Sequence, residues 1–106
     1  MSKANNLMTK TLEKKFQKFP LYSQDGKGED AEVVVKYFTP DANCTWLITE
    51  GEPIENGDWE FFGMCYIHEW EYGYVRLSDL KSIRGAFGLP VERDLYSHGT
   101  IRELKH

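Results

Sequence analysis

Eight carboxylates crowd one stretch of the chain. Between Tyr37 and Tyr74 lie Asp41, Glu50, Glu52, Glu55, Asp58, Glu60, Glu69 and Glu71, with no Lys or Arg and with ten of the protein's fifteen aromatic residues. Two or three converging oxygen ligands are what a Mg²⁺ or Mn²⁺ site needs, and such a site supports hydrolysis of phosphodiester or related bonds. Glu50, Asp58 and Glu60 are the metal candidates, because a hairpin between the flanking apolar segments brings them to one end of a sheet. Glu69 and Glu71 fall towards the other end. The missing Lys and Arg weigh against an enzyme, since phosphoryl chemistry calls for a cation besides the metal. The alternatives are a solvated face that keeps the protein soluble, or a surface for a basic protein. The pattern assigns no cofactor and no catalytic residue.

Other reactive side chains give weaker signals. His68, next to Glu69, has the chemistry of a general base or a metal ligand, but His98 and His106 are far away in sequence. Strand alternation puts Cys65 on the face opposite His68, which argues against a Cys–His pair. Cys44 and Cys65 form no CxxC motif and read as reduced core thiols of a cytoplasmic protein. Gly26-Lys27-Gly28 lacks the Walker spacing and the following Ser or Thr, so it is not a phosphate loop. Trp46 reads as core, whereas Trp59 and Trp70 flank a strand and suit an exposed contact with another protein. Arg93, between Glu92 and Asp94, is expected to satisfy a hairpin carboxylate and fix the C-terminal segment; anion binding is its functional alternative.

Charge narrows the partners. The formal net charge is −4, yet residues 1–20 carry five Lys against Glu13 alone, a net of +4, which leaves −8 for the rest. A body of that sign repels phosphate backbones and disfavours nucleic acid as a partner. The one basic face, Lys10, Lys14, Lys15 and Lys18, is the remaining nucleic-acid candidate, its plain reading being a solvated helix face. No apolar run approaches a membrane span, and the N-terminus lacks the apolar core of a signal peptide.

The elements that must position these groups follow from periodicity. Residues 1–8 are expected to be flexible, and 9–106 to form one α+β domain. Leu12, Phe16 and Phe19 mark an amphipathic helix that starts at the cap Thr9 and stops before Pro20. The segments 31–39, 44–50, 59–69 and 72–77 read as strands, and their short connections predict a four-stranded antiparallel meander. Alternation in the third strand places Phe61, Gly63, Cys65 and Ile67 on one side and Phe62, Met64, Tyr66 and His68 on the other. Both sides are apolar enough to be partly covered, by helices, loops or a second copy in a homodimer. Ser78 caps a second helix, 91–96 is an edge strand, and Thr100 with Glu103 forms a capping box for a last helix.

Several segments together resemble a known family. They are Pro20-Leu21-Tyr22-Ser23-Gln24 after the Lys-rich helix, the VVVKYFTP strand with Asp41 to Trp46, Thr49-Glu50, Phe61-Phe62-Gly63, Tyr72-Gly73-Tyr74, Leu77 to Leu80, and Gly88 to Tyr96. The pattern, over roughly residues 9–104, is similar to domain of unknown function 2958, small bacterial proteins often carried on plasmids and other mobile elements. The resemblance implies a bacterial, cytoplasmic, mobile-element setting and transfers no activity, cofactor or site residue. Relative to that pattern the Glu50–Asp58 loop is longer and more acidic. The combined expectation is a non-enzymatic module that contacts another protein through Glu50, Glu52, Glu55, Asp58, Trp59 and Trp70. Mimicry of nucleic acid in a basic groove is one form of that contact.

Overall fold

A computed structural model describes residues 6–105. Its first helix, α1, runs Lys10–Lys18, with the Thr9 hydroxyl accepting the Leu12 N–H at 3.2 Å. Leu12 and Phe16 are buried, and Lys10, Lys14 and Lys18 stay in water. The apolar stripe therefore works as its spacing predicts. The expected flexible N-terminus falls partly outside the described residues, but Leu7 is packed into the core. The Tyr37 hydroxyl donates to the Leu7 carbonyl, and Arg93 Nε donates to the Asn6 carbonyl at 3.0 Å. Arg93 thus fixes the entry of the chain rather than a hairpin carboxylate.

The sheet contains β1 (Val35–Phe38), β2 (Thr45–Pro53), β3 (Trp59–Tyr66), β4 (Trp70–Arg76) and β5 (Glu92–Arg93). The first four form the expected antiparallel meander, and β5 adds to the free side of β1, giving the order β4-β3-β2-β1-β5. Two boundaries matter for function. β2 continues to Pro53, so Glu50 and Glu52 belong to a strand and only 54–58 makes the connection, turning through Asn56 and Gly57 at positive φ. β3 ends at Tyr66, so Ile67 and His68 belong to the turn and strand alternation does not place them.

Each face of the sheet has its own cover. On the first face α1 and α2 (Leu77–Ser82) pack Leu12, Phe16, Leu77 and Leu80 against Tyr37, Trp46, Ile48 and Phe61. The Phe16 ring lies 5.5 Å from Trp59 and 5.4 Å from Phe61, centroid to centroid. On the second face α3 (Ile101–Leu104) brings Ile101 onto Ala31, Val33, Leu47 and Met64. Thr100 and Glu103 cap α3 reciprocally, as their spacing predicts. The apolar residues on both sides of β3 are therefore the signature of a strand at least partly covered on each side.

A β-bulge interrupts the β2–β3 register between Ile48 and Glu50. It leaves Thr49 as the extra residue, so Glu50 pairs with Phe62 and turns onto the second face. Gly63 sits opposite the bulge, where a Cβ would stand 2.0 Å from the Leu47 carbonyl oxygen and 2.8 Å from the Ile48 Cα. Those are backbone atoms and cannot swing away. Its β4 partner Gly73 has nothing within 4 Å of a built Cβ. Gly63→Ala is therefore expected to lower stability by about 1–3 kcal/mol through overpacking. Gly73→Ala should change it by less than about 0.5 kcal/mol. Urea midpoints of the two variants check the pair.

Candidate functional site

The carboxylate most attractive as a ligand is the least accessible. Glu50 is only 2% exposed, and its two oxygens accept backbone N–H bonds from Tyr22 at 2.7 Å and Gln24 at 2.9 Å. Glu52 accepts from Leu21 N–H at 3.2 Å, and Gly51 N–H donates to the Phe19 carbonyl at 3.0 Å. The chain leaving α1 is thus laced along the end of β2. Gln24, also buried, completes the tie: its amide donates to the Glu32 and Thr49 carbonyls and its oxygen accepts the Glu32 N–H. These bonds hold Tyr22 at φ 73°, a left-handed conformation that a bulky residue adopts only when its surroundings impose it.

Other carboxylates are committed to structure in the same way. Asp58 accepts the Trp59 N–H, the Ser78 N–H and, at 2.6 Å, the Ser78 hydroxyl, so it secures the start of α2. Ser78 therefore spends its hydroxyl on Asp58 rather than capping α2, whose N-cap is Arg76. The Ser78 hydroxyl bond, followed by the two backbone bonds, holds the Asp58 carboxyl below its ordinary value against the opposing effect of burial. Asp41 receives the Phe87 and Leu89 N–H groups and shapes the 85–89 loop. Glu60 pairs with Arg76 at 3.5 Å. Glu50, Asp58 and Glu60 therefore each have a different partner set, and no group of three His, Cys, Asp or Glu side chains among the described residues is placed to hold a metal. Glu55, Glu69 and Glu71 are exposed.

What remains accessible is half of the second face. Across β2, β3 and β4 its rows read Leu47–Met64–Tyr72, Glu50–Phe62–Tyr74 and Glu52–Glu60–Arg76. Covered by α3 near β1, this face is open near β4, where Tyr72 is 48% and Tyr74 54% exposed. Tyr22, 65% exposed, reaches it from the laced loop. Phe62 stacks on Tyr72 at 5.8 Å with only 3° between ring planes, and meets Tyr74 at 4.9 Å. A hydrogen bond with the Tyr22 hydroxyl raises the Tyr74 phenol above its ordinary value, with burial and the charges of Asp25 and Glu50 adding to the effect. Behind the rings lies a recess of about 330 Å³ bounded by Phe62, Tyr72, Asp25, Thr49 and Glu50.

The expected tryptophans are placed otherwise. Trp59 is buried at 8% exposure under α1, because the hairpin turn directs it onto the first face, and it forms core rather than surface. Trp70 is half-buried and packs against the cluster beneath α3 and against Tyr66. Sequence patterning does not single out the residues that make the open face, Tyr22, Phe62, Tyr72 and Tyr74. The signal that could have found them was the alternation of Tyr72 and Tyr74 in an edge strand with no polar partner face.

Of the remaining candidates, Cys65 and His68 border one recess although strand alternation places them on opposite faces. Burial pushes the Cys65 thiol up to about 11, so it is a poor nucleophile. It lines a 480 Å³ recess with His68, Glu69 and Glu71 at the β3–β4 turn. A cleft of about 540 Å³ is the seam between α1, the β2–β3 connection and α2; of its polar lining residues, Glu52 and Asp58 already serve the backbone. The exposed lysines of α1 lie over the first face, on the side of the sheet away from the tyrosines.

Truncating Glu50 to Ala leaves one buried and one partly buried N–H donor without acceptors, so stability should fall by about 2–3 kcal/mol. Exposed Glu55→Ala should cost less than about 0.5 kcal/mol. Chemical denaturation of both variants checks the contrast. Asp58 has a depressed folded value, so its stabilising contribution is complete above the ordinary 3.8 and is lost as pH falls through the lower folded value. Asp58→Asn should accordingly flatten the acid limb of a stability–pH curve, measured by thermal melts between neutral and acid pH.

No curated protein and no solved structure matches the chain. A family match does cover residues 7–104, nearly the whole sequence, and includes both the Pro20–Gln24 loop and the strand end that anchors it. The chain belongs to the family described as "Protein of unknown function (DUF2958)".

Proposed function

We propose that this protein is a non-enzymatic interaction module of a bacterial, cytoplasmic, mobile-element setting, and that its open acidic and aromatic sheet face contacts another protein. The observation that carries the reading is the exposure of Tyr22, Tyr72 and Tyr74 around Phe62 on one side of an otherwise covered sheet. Tyrosine supplies contact area and a hydroxyl at low entropic cost, which is why it is enriched at interfaces. Asp25, Glu52 and Glu60 surround the rings, with Arg76 paired to Glu60, so the rim favours a basic partner. Within the interaction set expected from sequence, Glu50 anchors the loop that carries Tyr22, Glu52 borders the rings, Asp58 and Trp59 belong to the first face, and Glu55 and Trp70 lie outside the tyrosine cluster.

A carboxylate-based hydrolase is the weaker reading, because Glu50, Asp58 and Glu60 are bonded to separate parts of the chain. Binding of nucleic acid through Lys10, Lys14, Lys15 and Lys18 has only the helix face itself in support.

A photo-crosslinking amino acid at position 72 tests the proposal in host cells. A discrete adduct that disappears in a Tyr22→Ala, Tyr74→Ala background, at unchanged melting temperature, is the expected result. An adduct pattern identical to that of a crosslinker placed at Lys14 would contradict it.

A further inference from the structure

We infer that the recess behind the tyrosines receives the cationic end of an arginine or lysine side chain from the partner, an assignment that rests on the interaction-module reading above. Three independent features of this site agree on that ligand.

The first is charge without a counter-ion. Glu50 is buried, and no Lys or Arg forms an ion pair with it among the described residues. Two backbone N–H groups are its hydrogen-bond donors, one on each oxygen, and a carboxylate oxygen can accept more than one bond. Buried carboxylates are ordinarily balanced by a cation, because removing a charge from water is costly. Exposed Asp25 stands at the same recess, also without an ion pair among the described residues, so one buried and one exposed carboxylate border a space that no basic side chain lines.

The second is the wall chemistry. Phe62 and Tyr72 bound the recess with nearly parallel rings, and a ring face attracts a cation through its quadrupole. An aromatic wall beside a carboxylate suits an alkyl cation, whose methylene stem meets the rings while its head meets the oxygens. Neutral polar ligands gain little from the first and anions are repelled by the second.

The third is fit. A recess of about 330 Å³ is at the small end of ligand sites, large enough for one long side chain. Gly26 and Gly28, both at positive φ and both with nothing within 4 Å of a built Cβ, keep one wall low and leave an open entrance.

The test uses the whole protein and simple probes. Amide NMR spectra are titrated with N-acetyl-arginine methylamide and N-acetyl-lysine methylamide at constant ionic strength, with the citrulline and norleucine analogues as neutral controls. Saturable shifts centred on Gly26, Gly28 and Thr49 are expected for one or both cations, at least fivefold weaker for the neutral analogues, and lost in Asp25→Asn and Tyr72→Ala. The tighter of the two cations identifies the partner residue. Equal shifts with the neutral probes, shifts spread over every acidic residue, or no shifts would overturn the assignment. Shifts of Gly26 and Gly28 that follow protein concentration alone would also overturn it, by placing a second copy's basic side chain in the recess. A position-72 adduct that forms while the arginine and lysine probes fail would sink the recess alone and leave the interaction face standing. Loss of both would remove the two readings together.

Discussion

The structure turns on a buried carboxylate that holds backbone. Glu50 takes the N–H groups of Tyr22 and Gln24, and Gln24 in turn takes the backbone of Glu32 and Thr49. Charge-assisted bonds of this kind are shorter and stronger than neutral ones, and stronger still where water is excluded. They convert residues 20–24 from a loose connection into a strap lying along β2. Three parts of the fold meet there: the end of α1, the bulged strand and the segment entering β1. Without the bulge at Thr49, Glu50 would point to the helix-covered face, where the strap does not run.

The strap also explains the open face. By holding Tyr22 in a left-handed conformation beside Tyr74, it adds an aromatic side chain that the strands do not supply. Strain of this kind persists only where surrounding bonds over-determine it, and it collects where a protein meets a ligand or partner. The acidic composition then has two uses. Glu50, Glu52, Asp58 and Asp41 order loops by accepting backbone N–H groups, while Asp25 and Glu60 give the tyrosine surface its sign. The surface salt links between α3 and residues 29–30 contribute little energy and mainly fix the C-terminal helix in place.

Much of the scaffold was legible in the sequence because local signals and tertiary packing agree. The Leu12–Phe16 stripe, the Thr9 cap, the Thr100–Glu103 box and the β-branched run before Pro40 each act where their chemistry places them. The two-sided apolar pattern of Phe61 to Tyr66 matches a strand partly covered on both sides. The site was less legible, for physical reasons. A bulge shifts side chains by one position, so Glu50 could not be assigned to a face from period-two alternation. In sequence Asp58 looks like a free carboxylate, because its partner Ser78 is twenty residues away and has the pattern of a helix cap in its own right. Trp59 looked peripheral at a strand start, yet the turn through Asn56 and Gly57 tucks it beneath α1. Nothing local in Pro20–Gln24 announces that its N–H groups face a glutamate nearly thirty residues on.

The most direct measurement is native-state hydrogen exchange of the Tyr22 and Gln24 amides, compared between the wild type and Glu50→Gln. If the buried carboxylate holds the strap, both amides are protected in the wild type to nearly the level of the central strands. In the variant they should become fast while the β2–β3 amides remain slow. Rapid exchange at Tyr22 and Gln24 in the wild type, or unchanged protection in the variant, would contradict the account.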